Sequence, residues 1–209
     1  MWMTELPPFV PFFLGALVAG ITRGWLRAVV LLAIPVLGGI HLLNIDAGVV
    51  WQMQFLDYTL TPYRVDRLSL LFGYLFHIAT FLGVLYALHV RDTLQQVSAM
   101  LYAGSALGAV FAGDLITLFV FWELLALTSV FLIWARRTPS ALQAGLRYLI
   151  IQVLSGVLLL AGTLVYLHDG GSLAFEYIGL GSLAGWLIFL AFGIKCAFPL
   201  LHNWLTDAY

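Results

Sequence analysis

Seven long apolar runs, separated by short polar connections, make up most of the sequence. They cover about residues 8–21, 25–43, 68–90, 97–112, 115–135, 142–167 and 178–201. A helix that spans a bilayer needs about 20 mainly apolar residues, and the first and fourth runs are short by that measure. The pattern therefore predicts an all-α polytopic membrane protein with about seven transmembrane helices.

The connection between the second and third runs has a different pattern. Trp51, Met53 and Phe55 alternate with two glutamines, which is the period of a β-strand. The next two residues suit a turn, and a second short segment follows them. We therefore predict a small β-hairpin at about residues 48–63, between helices 2 and 3, lying outside the hydrocarbon of the bilayer.

The arginines in the loops predict the orientation, because short loops rich in Lys and Arg stay in the cytoplasm. Those expected on one side are Arg23, Arg27, Arg91, Arg136 and Arg137. The opposite side has two arginines among several acidic residues. We expect the first side to be cytoplasmic, so that the N-terminus and the hairpin are extracytoplasmic and the C-terminus is inside.

The seventh run contains two residues that oppose a continuous helix. Pro199 removes a backbone hydrogen bond, and Gly193 has a low helix propensity. An interrupted helix frees backbone carbonyls, which are tolerated at membrane depth where they line a cavity or contact protein. We therefore predict that the seventh segment is broken between Gly193 and His202.

The composition supports a membrane protein and excludes several other classes. Hydrophobic residues make up 63% of the 209 residues and charged residues 9%, against about 45–50% and about 25% in soluble domains. The net charge of −1 predicts no nucleic-acid partner. The single cysteine, Cys196, allows neither an internal disulfide nor a multi-cysteine metal site. Because the sequence also lacks zinc-ligand spacing, a glycine-rich phosphate loop and a histidine that matches His77 in depth for a haem, we expect no cofactor and no metal.

Two charged residues lie inside apolar runs. Lys195, the only lysine, is in the seventh run, and Glu123 is in the fifth. An ionisable side chain at membrane depth costs roughly 2.5–3.5 kcal/mol on insertion scales, so such residues usually face a partner or an ion path. A purely structural ion pair is the alternative, although buried pairs stabilise poorly compared with apolar packing. We predict that Glu123 and Lys195 face each other, directly or through one or two waters, and move protons or cations.

Arg147, His202 and Asp114 are further candidates, each with a structural alternative. Helical rise places Arg147 about 7 Å and Lys195 about 9 Å from the inner boundary, so Arg147 either continues a polar ladder or extends to lipid headgroups. His202, seven residues after Lys195, is either the next proton carrier or a hydrogen-bond partner of a loop. Asp114 stands at a helix start, where a carboxylate can serve as a cap.

Three stretches carry a resemblance to a known family. They are VDRLSLLF at 65–72, DLITLFVFWELLAL at 114–127 and FGIKCAFPLLHNWLTDA at 192–208. Over nearly its whole length the chain resembles the antiporter-like membrane subunits shared by respiratory complex I and the multisubunit Mrp-type Na⁺/H⁺ antiporters. Its start and residues 147–150 look most similar to the Mrp D subunit. The resemblance implies a proton half-channel in which Glu123 on helix 5 modulates a proton-carrying Lys195 on a broken helix 7. Arg67 and Thr206 depart from the family's frequent glycine and proline.

The length of the sequence differs from that family. Its members have about fourteen helices in two inverted repeats, whereas this sequence stops after the seventh run. We interpret residues 1–209 as a single membrane domain, with helices 1–3 and the hairpin in 1–96 and an incomplete first antiporter repeat, helices 4–7, in 97–209. Tyr209 is interpreted as a break in a longer sequence, either a fragment or a split subunit completed by another chain.

The resemblance and the buried charges together favour an ion-translocating subunit of an Mrp-type Na⁺/H⁺ antiporter in a prokaryotic cytoplasmic membrane. Its expected partners are other membrane subunits, H⁺, a monovalent cation and the lipid bilayer. One alternative is a proton-pumping subunit of a complex I-like or membrane-hydrogenase complex. Only that alternative would make the protein part of an enzyme, a translocase, because the sequence has no redox or hydrolytic site of its own. The other alternative is a scaffold fragment that conducts nothing.

Overall fold

The computed structural model describes residues 6–48 and 50–208. Within these ranges the chain is mainly helical, with a two-stranded sheet and a single turn of 3-10 helix at Ala87–His89. The helices are α1 (Val10–Ile21), α2 (Gly24–Leu42), α3 (Arg67–Tyr86), α4 (Thr93–Phe111), α5 (Leu115–Trp134), α6 (Pro139–His168), α7 (Leu183–Lys195) and α8 (Asn203–Ala208). The strands are β1 (Val50–Phe55) and β2 (Tyr58–Arg64).

Four of these helices are long and apolar enough to cross a membrane. They are α2, α3 with the 3-10 turn that follows it, α5 and α6. α1 and α7 are also apolar but have only 12 and 13 residues. The predicted polytopic helical architecture is therefore present, while the number of seven spans stays a prediction.

Two helices begin at side-chain caps that differ from the starts predicted from the apolar runs. Asp92 accepts a hydrogen bond from the Leu94 amide at 2.9 Å, and α4 therefore begins at Thr93 rather than at residue 97. Ser182 accepts from the Gly185 amide at 3.2 Å, and α7 begins at Leu183 rather than at residue 178. The apolar run alone does not show these starts, because the caps are polar residues outside or at the edge of the run.

The predicted hairpin between helices 2 and 3 is confirmed. β1 and β2 pair in a two-stranded sheet, and Leu56 and Asp57 form the turn between them. Leu56 has a φ of 53°, in the left-handed region that such turns require. The side chains of β1 are exposed along its whole length. The extracytoplasmic location of this hairpin stays a prediction.

The chain forms two compact units, and the first comprises the residues up to Met53 together with Thr61–Ala112. In this unit α1 packs against α2 and α4, and α3 packs against the same two helices. Fully buried side chains at its centre include Phe12, Leu42, Tyr63, Met100, Leu107 and Phe111. The core of this unit is therefore built from α1, α2, α4 and the end of the hairpin, and partly buried residues of α3 pack against it.

His77 is buried inside the first unit. Its Nδ1 donates to the Gly73 carbonyl at 2.7 Å, because a carbonyl oxygen can only accept. Its ring meets the Phe12 ring edge-on, with centroids 5.1 Å apart. Gly38 on α2 lies against the edge of the imidazole, where a Cβ would approach Nε2 to 2.5 Å. These contacts give His77 a packing role in the first unit.

The second unit comprises Gln54–Leu60 and the residues from Gly113 onward. Its longest helix, α6, has 30 residues and packs against α5, α7 and α8. Asp114 precedes α5, and its carboxylate accepts from the amide and the hydroxyl of Thr117, each at 2.7 Å. This confirms the capping role of Asp114. Glu123 and Lys195 both belong to this unit.

Candidate functional site

Lys195 is the last residue of α7 and is half-buried against α5. Its Nζ donates to the backbone carbonyl of Trp122 at 3.1 Å. The same atom lies 5.0 Å from the centre of the Trp122 ring, within the range of a cation–π contact. The ammonium group is thus held on α5, beside the residue that precedes Glu123.

The break in the seventh segment lies directly after Lys195, as predicted. Ala197 has a φ of 53°, and its amide bonds the Ile194 carbonyl at 3.1 Å. The Phe198 amide bonds the Gly193 carbonyl at 2.9 Å, which completes a Schellman motif. The chain then turns and begins α8 at Asn203. Because the helix ends at Lys195, the side chain of this residue lies at a helix terminus.

The indole of Trp204, on α8, hydrogen-bonds to the end of α7 at the break. Its Nε1 donates to the Ile194 carbonyl at 3.0 Å, and its ring meets that of Tyr148 edge-on, with centroids 5.4 Å apart. Trp204 is 7% exposed. The carbonyls freed at the end of α7 therefore contact protein, which is the condition for interrupting a helix at membrane depth.

Glu123 lies on α5, on the side that faces α6. A Cβ placed on Gly156 would overlap the Glu123 carboxylate, so the absence of a side chain at position 156 makes the room for it. Glu123 Oε1 is buried, and no residue in the described part of the chain hydrogen-bonds to it. One carboxylate oxygen is therefore buried between the helices as an unpaired acceptor, while Glu123 as a whole is half-buried.

Glu123 and Lys195 are neighbours without being a contact ion pair. Their charges lie close enough to interact electrostatically. Among the described residues of the second unit, Arg147 and Asp207 form a salt bridge, whereas Glu123 and Lys195 do not. The ammonium instead takes the Trp122 carbonyl as its acceptor. The structure thus brings the two predicted residues together with a gap between their charged groups.

Hydrogen bonds through Ser155 fix the three helices around this gap. Trp122 Nε1 donates to Ser155 Oγ at 2.9 Å, and Ser155 Oγ donates to the Ala191 carbonyl at 2.9 Å. The Trp122 and Phe192 rings meet edge-on, with centroids 4.8 Å apart. Sequence reasoning missed Trp122 and Ser155, and the only signal in the sequence was a small polar residue within an apolar run.

Gln152 is a second residue that sequence reasoning missed. It lies on α6, one helical turn from Gly156, and is fully buried. Neither its amide nitrogen nor its amide oxygen has a hydrogen-bond partner among the residues described. A glutamine in the middle of an apolar run was the signal that could have revealed it.

The structure does not bring the other two predicted residues into this gap. Arg147 forms an ion pair with Asp207, and its side chain is 58% exposed. This pair connects α6 to α8, and exposed pairs of this kind contribute about 0–1 kcal/mol. His202 is exposed in the turn before α8, where its carbonyl accepts from the Leu205 amide at 2.9 Å. Roles for Arg147 and His202 in proton transfer stay predictions.

The chain matches known proteins in sequence and in fold. Residues 112–209 match the family described as NADH:quinone oxidoreductase/Mrp antiporter, TM. The chain is 31% identical, over 231 aligned residues, to NADH-quinone oxidoreductase subunit N of Desulforamulus reducens, covering 99% of this chain and 46% of that protein. The chain belongs to the antiporter-like membrane subunit family. It is therefore an integral membrane protein.

Relatives in this family come from different kinds of complex. The Na⁺/H⁺ antiporter subunit A1 of Staphylococcus haemolyticus is 31% identical over 161 residues, which cover 69% of this chain and 20% of that protein. The structure of the membrane-bound sulfane sulfur reductase, an archaeal respiratory membrane complex, has a chain that matches with a TM-score of 0.86. That match has 21% identity and covers 98% of this chain and 36% of the other, so it shows the fold. The chain spans less than half the length of these antiporter-like relatives.

Proposed function

We propose that the chain is the proton-translocating part of an Mrp-type Na⁺/H⁺ antiporter subunit, in which Lys195 carries the proton and Glu123 modulates it. The observation that carries this proposal is the position of Lys195 at the broken end of α7, bonded to the Trp122 carbonyl beside Glu123. A non-conducting scaffold would not need an ionisable side chain here, where it is costly to bury, yet this position holds the only lysine of the sequence.

The mechanism follows from the gap between the two charged groups. A carboxylate near an amine favours its protonated form, and removal of that charge favours release of the proton. Glu123 therefore promotes loading of Lys195 when it is ionised, and protonation of Glu123 or its movement promotes release. The Trp122 carbonyl keeps the ammonium oriented while it is loaded. The driving scale is about 2.3 kcal/mol per charge per 100 mV, which a modest change in this interaction can match.

We place the protein in a prokaryotic cytoplasmic membrane, with the N-terminus and hairpin outside and the last helix ending inside. The support for this orientation is the excess of loop arginines on one side of the apolar runs. The partners are other membrane subunits, because relatives of the chain are subunits of larger assemblies. The transported ions are H⁺ and a monovalent cation.

A second candidate is a proton-pumping subunit of a redox-driven complex. It is favoured by the match to an NADH-quinone oxidoreductase subunit over 99% of the chain. The same Lys195 and Glu123 would then move protons, and electron transfer would take place in partner subunits. The two candidates differ in what drives transport and not in the residues of this chain.

Inverted membrane vesicles that contain the whole assembly distinguish these functions. A ΔpH reporter is followed after addition of NaCl or KCl, and separately after addition of an electron donor. An antiporter changes ΔpH when the cation is added without a donor, whereas a redox pump responds to the donor alone. Lys195→Ala should abolish either response with assembly retained, while Arg136→Ala, a change at an exposed loop residue, serves as the control. Wild-type responses in Lys195→Ala would instead support the alternative that the chain is a scaffold that conducts no ions.

A further inference from the structure

Gln152 has the features of a site that binds water inside the second unit. Its side chain is 0% exposed, and both polar atoms of its amide lack a partner among the described residues. Buried polar side chains in proteins are normally completed by protein groups or by ordered water. Since described protein groups do not fill this role, a water bound to Gln152 would need further polar partners nearby.

The contacts between α5 and α6 show which part of α5 lies opposite Gln152. Glu123 lies against Gly156, and Ser129 Oγ lies 2.6 Å from Tyr148 Oη, so the helices run antiparallel here. Gln152 is four residues from both Gly156 and Tyr148 and therefore shares their face of α6. Its position along α5 is thus between Glu123 and Ser129, one helical turn, or about 5.4 Å, from each contact.

Glu123 supplies the second unpaired group on this face. Its Oε1 is buried without a described partner, as is the Gln152 amide one turn away. A span of about one helical turn suits one or two waters, each of which needs two to four polar partners. At the same level α5 has Ala126, a buried residue with a small side chain.

We propose that Gln152 holds one or two waters that connect the Glu123 carboxylate to the hydroxyl pair of Tyr148 and Ser129. The Gln152 amide can donate to one water and accept from another, so it orients the waters without gaining or losing a proton. An excess proton that enters at the Tyr148 end moves to Glu123 because each water accepts one proton and releases another, so every water is neutral again after the transfer. The path would run from Glu123 along α6 towards Tyr148. This inference rests on the proposed function of Glu123 and Lys195.

A bound monovalent cation is the other ligand that fits oxygen atoms. The Lys195 ammonium, which lies near Glu123, repels a second cation there. The Gln152 amide nitrogen also needs an acceptor, which water supplies and a metal cation does not. The chemistry of the site therefore favours water.

The test uses the complete assembly in inverted vesicles. Gln152→Leu keeps most of the volume but cannot bind water, and we expect proton transport to fall at least fivefold with assembly unchanged. Gln152→Ser keeps a hydroxyl and leaves room for a further water, so transport should fall less than fivefold. Gln143→Leu makes the same substitution at an exposed position of α6 and should match wild type. A fall of less than fivefold in Gln152→Leu would overturn the inference.

Two further results separate this inference from the proposed function. If Lys195→Ala abolishes transport and Gln152→Leu does not lower it fivefold, Lys195 remains the carrier and the water path is wrong. If Gln152→Leu fails to assemble, a high-resolution cryo-EM map of the wild-type assembly decides. Water density within about 3 Å of the Gln152 amide supports the path. An amide closed off by apolar side chains, or a cation bound by several oxygens, contradicts it.

Discussion

The Lys195 ammonium group donates to the backbone carbonyl of Trp122 at 3.1 Å and forms no contact ion pair with the carboxylate of the next residue, Glu123, whose Oε1 accepts no hydrogen bond from the described residues. The lysine is therefore oriented by an acceptor that has no charge and cannot be protonated under physiological conditions. The neighbouring carboxylate can therefore gain or lose a proton without breaking the hydrogen bond that orients Lys195. The group that orients Lys195 is therefore separate from the group proposed to modulate it.

Substitution Glu123→Gln should slow proton transport several-fold while the assembly still forms. The amide keeps the shape of the side chain but removes the charge that favours loading of Lys195. Transport is measured as the initial rate of ΔpH change in vesicles, and assembly by blotting. Glu176→Gln, in an exposed loop of the same unit, should transport like wild type. Equal rates in Glu123→Gln and wild type would remove Glu123 from the mechanism.

Substitution Gly156→Ala should displace the Glu123 carboxylate. The new methyl group would occupy the position of the carboxylate, so one of the two helices or the glutamate must shift. We expect slower transport and a loss of about 1–3 kcal/mol in stability, the usual range for an overpacked core. Gly83→Ala is the control, because a Cβ at that helical position meets open space.

A compensating change makes the test at Gly156 specific. Glu123→Asp shortens the side chain and withdraws its carboxylate from α6. Combined with Gly156→Ala, it should restore part of the stability that the single Gly156→Ala change loses. If the stability losses of the two single substitutions simply add, the carboxylate does not lie against Gly156.

Substitution Ser155→Ala should loosen the contact of α5 with α7. It removes the acceptor for the Trp122 indole and the donor to the Ala191 carbonyl. Leaving a buried donor unpaired costs about 1–3 kcal/mol, so the thermal midpoint of the purified assembly should fall. Ser140→Ala, at an exposed position of α6, should leave the midpoint unchanged. An unchanged midpoint in Ser155→Ala would show that Ser155 does not hold these helices together.

The cap of α3 predicts a pH dependence of stability. Hydrogen bonds from the backbone of Ser69, the largest cause, and a nearby Arg64 hold the pKa of Asp66 below its usual value. A carboxyl group with a depressed pKa in the folded state stabilises the fold above its unfolded pKa of about 3.9. That contribution is lost as the pH falls through the lower pKa of the folded state.

We therefore expect Asp66→Ala to lower stability by about 0.5–2 kcal/mol at neutral pH, as for other helix caps. The difference from wild type should shrink below about pH 4, where the Asp66 carboxylate becomes protonated. Thermal unfolding of the detergent-solubilised protein between pH 7 and pH 3 measures it. Asp57→Ala, in the exposed hairpin turn, is the control. A difference that stays constant down to pH 3 would contradict a charged cap.

The sequence predicted the break in the seventh segment but not where the helix ends. Gly193 and Pro199 bracket the break. The actual end at Lys195 depends on a left-handed conformation at Ala197, which sequence rules assign to glycine. A non-glycine residue takes that conformation here with the chain held by bonds to Gly193 and Ile194.

The proximity of Glu123 and Lys195 could also be predicted, because isolated charges in apolar runs need partners. The groups between and around them could not. Trp122 contributes a backbone carbonyl, which carries no sequence signal, and Gln152 matters because α5 and α6 bury it at a particular level. Arg147 was predicted from depth alone, and packing of α8 gives it Asp207 as a partner.

The proton transport rate of Lys195→Arg, measured in vesicles beside Lys195→Ala and wild type, tests the central claim most directly. Arginine keeps the positive charge and can bond the Trp122 carbonyl, but it does not release its proton. If Lys195 is the carrier, both variants lose coupled transport although the assembly forms normally. A Lys195→Arg assembly that transports protons at the wild-type rate would show that the charge of Lys195 is needed only for structure, and would contradict its role as a proton carrier.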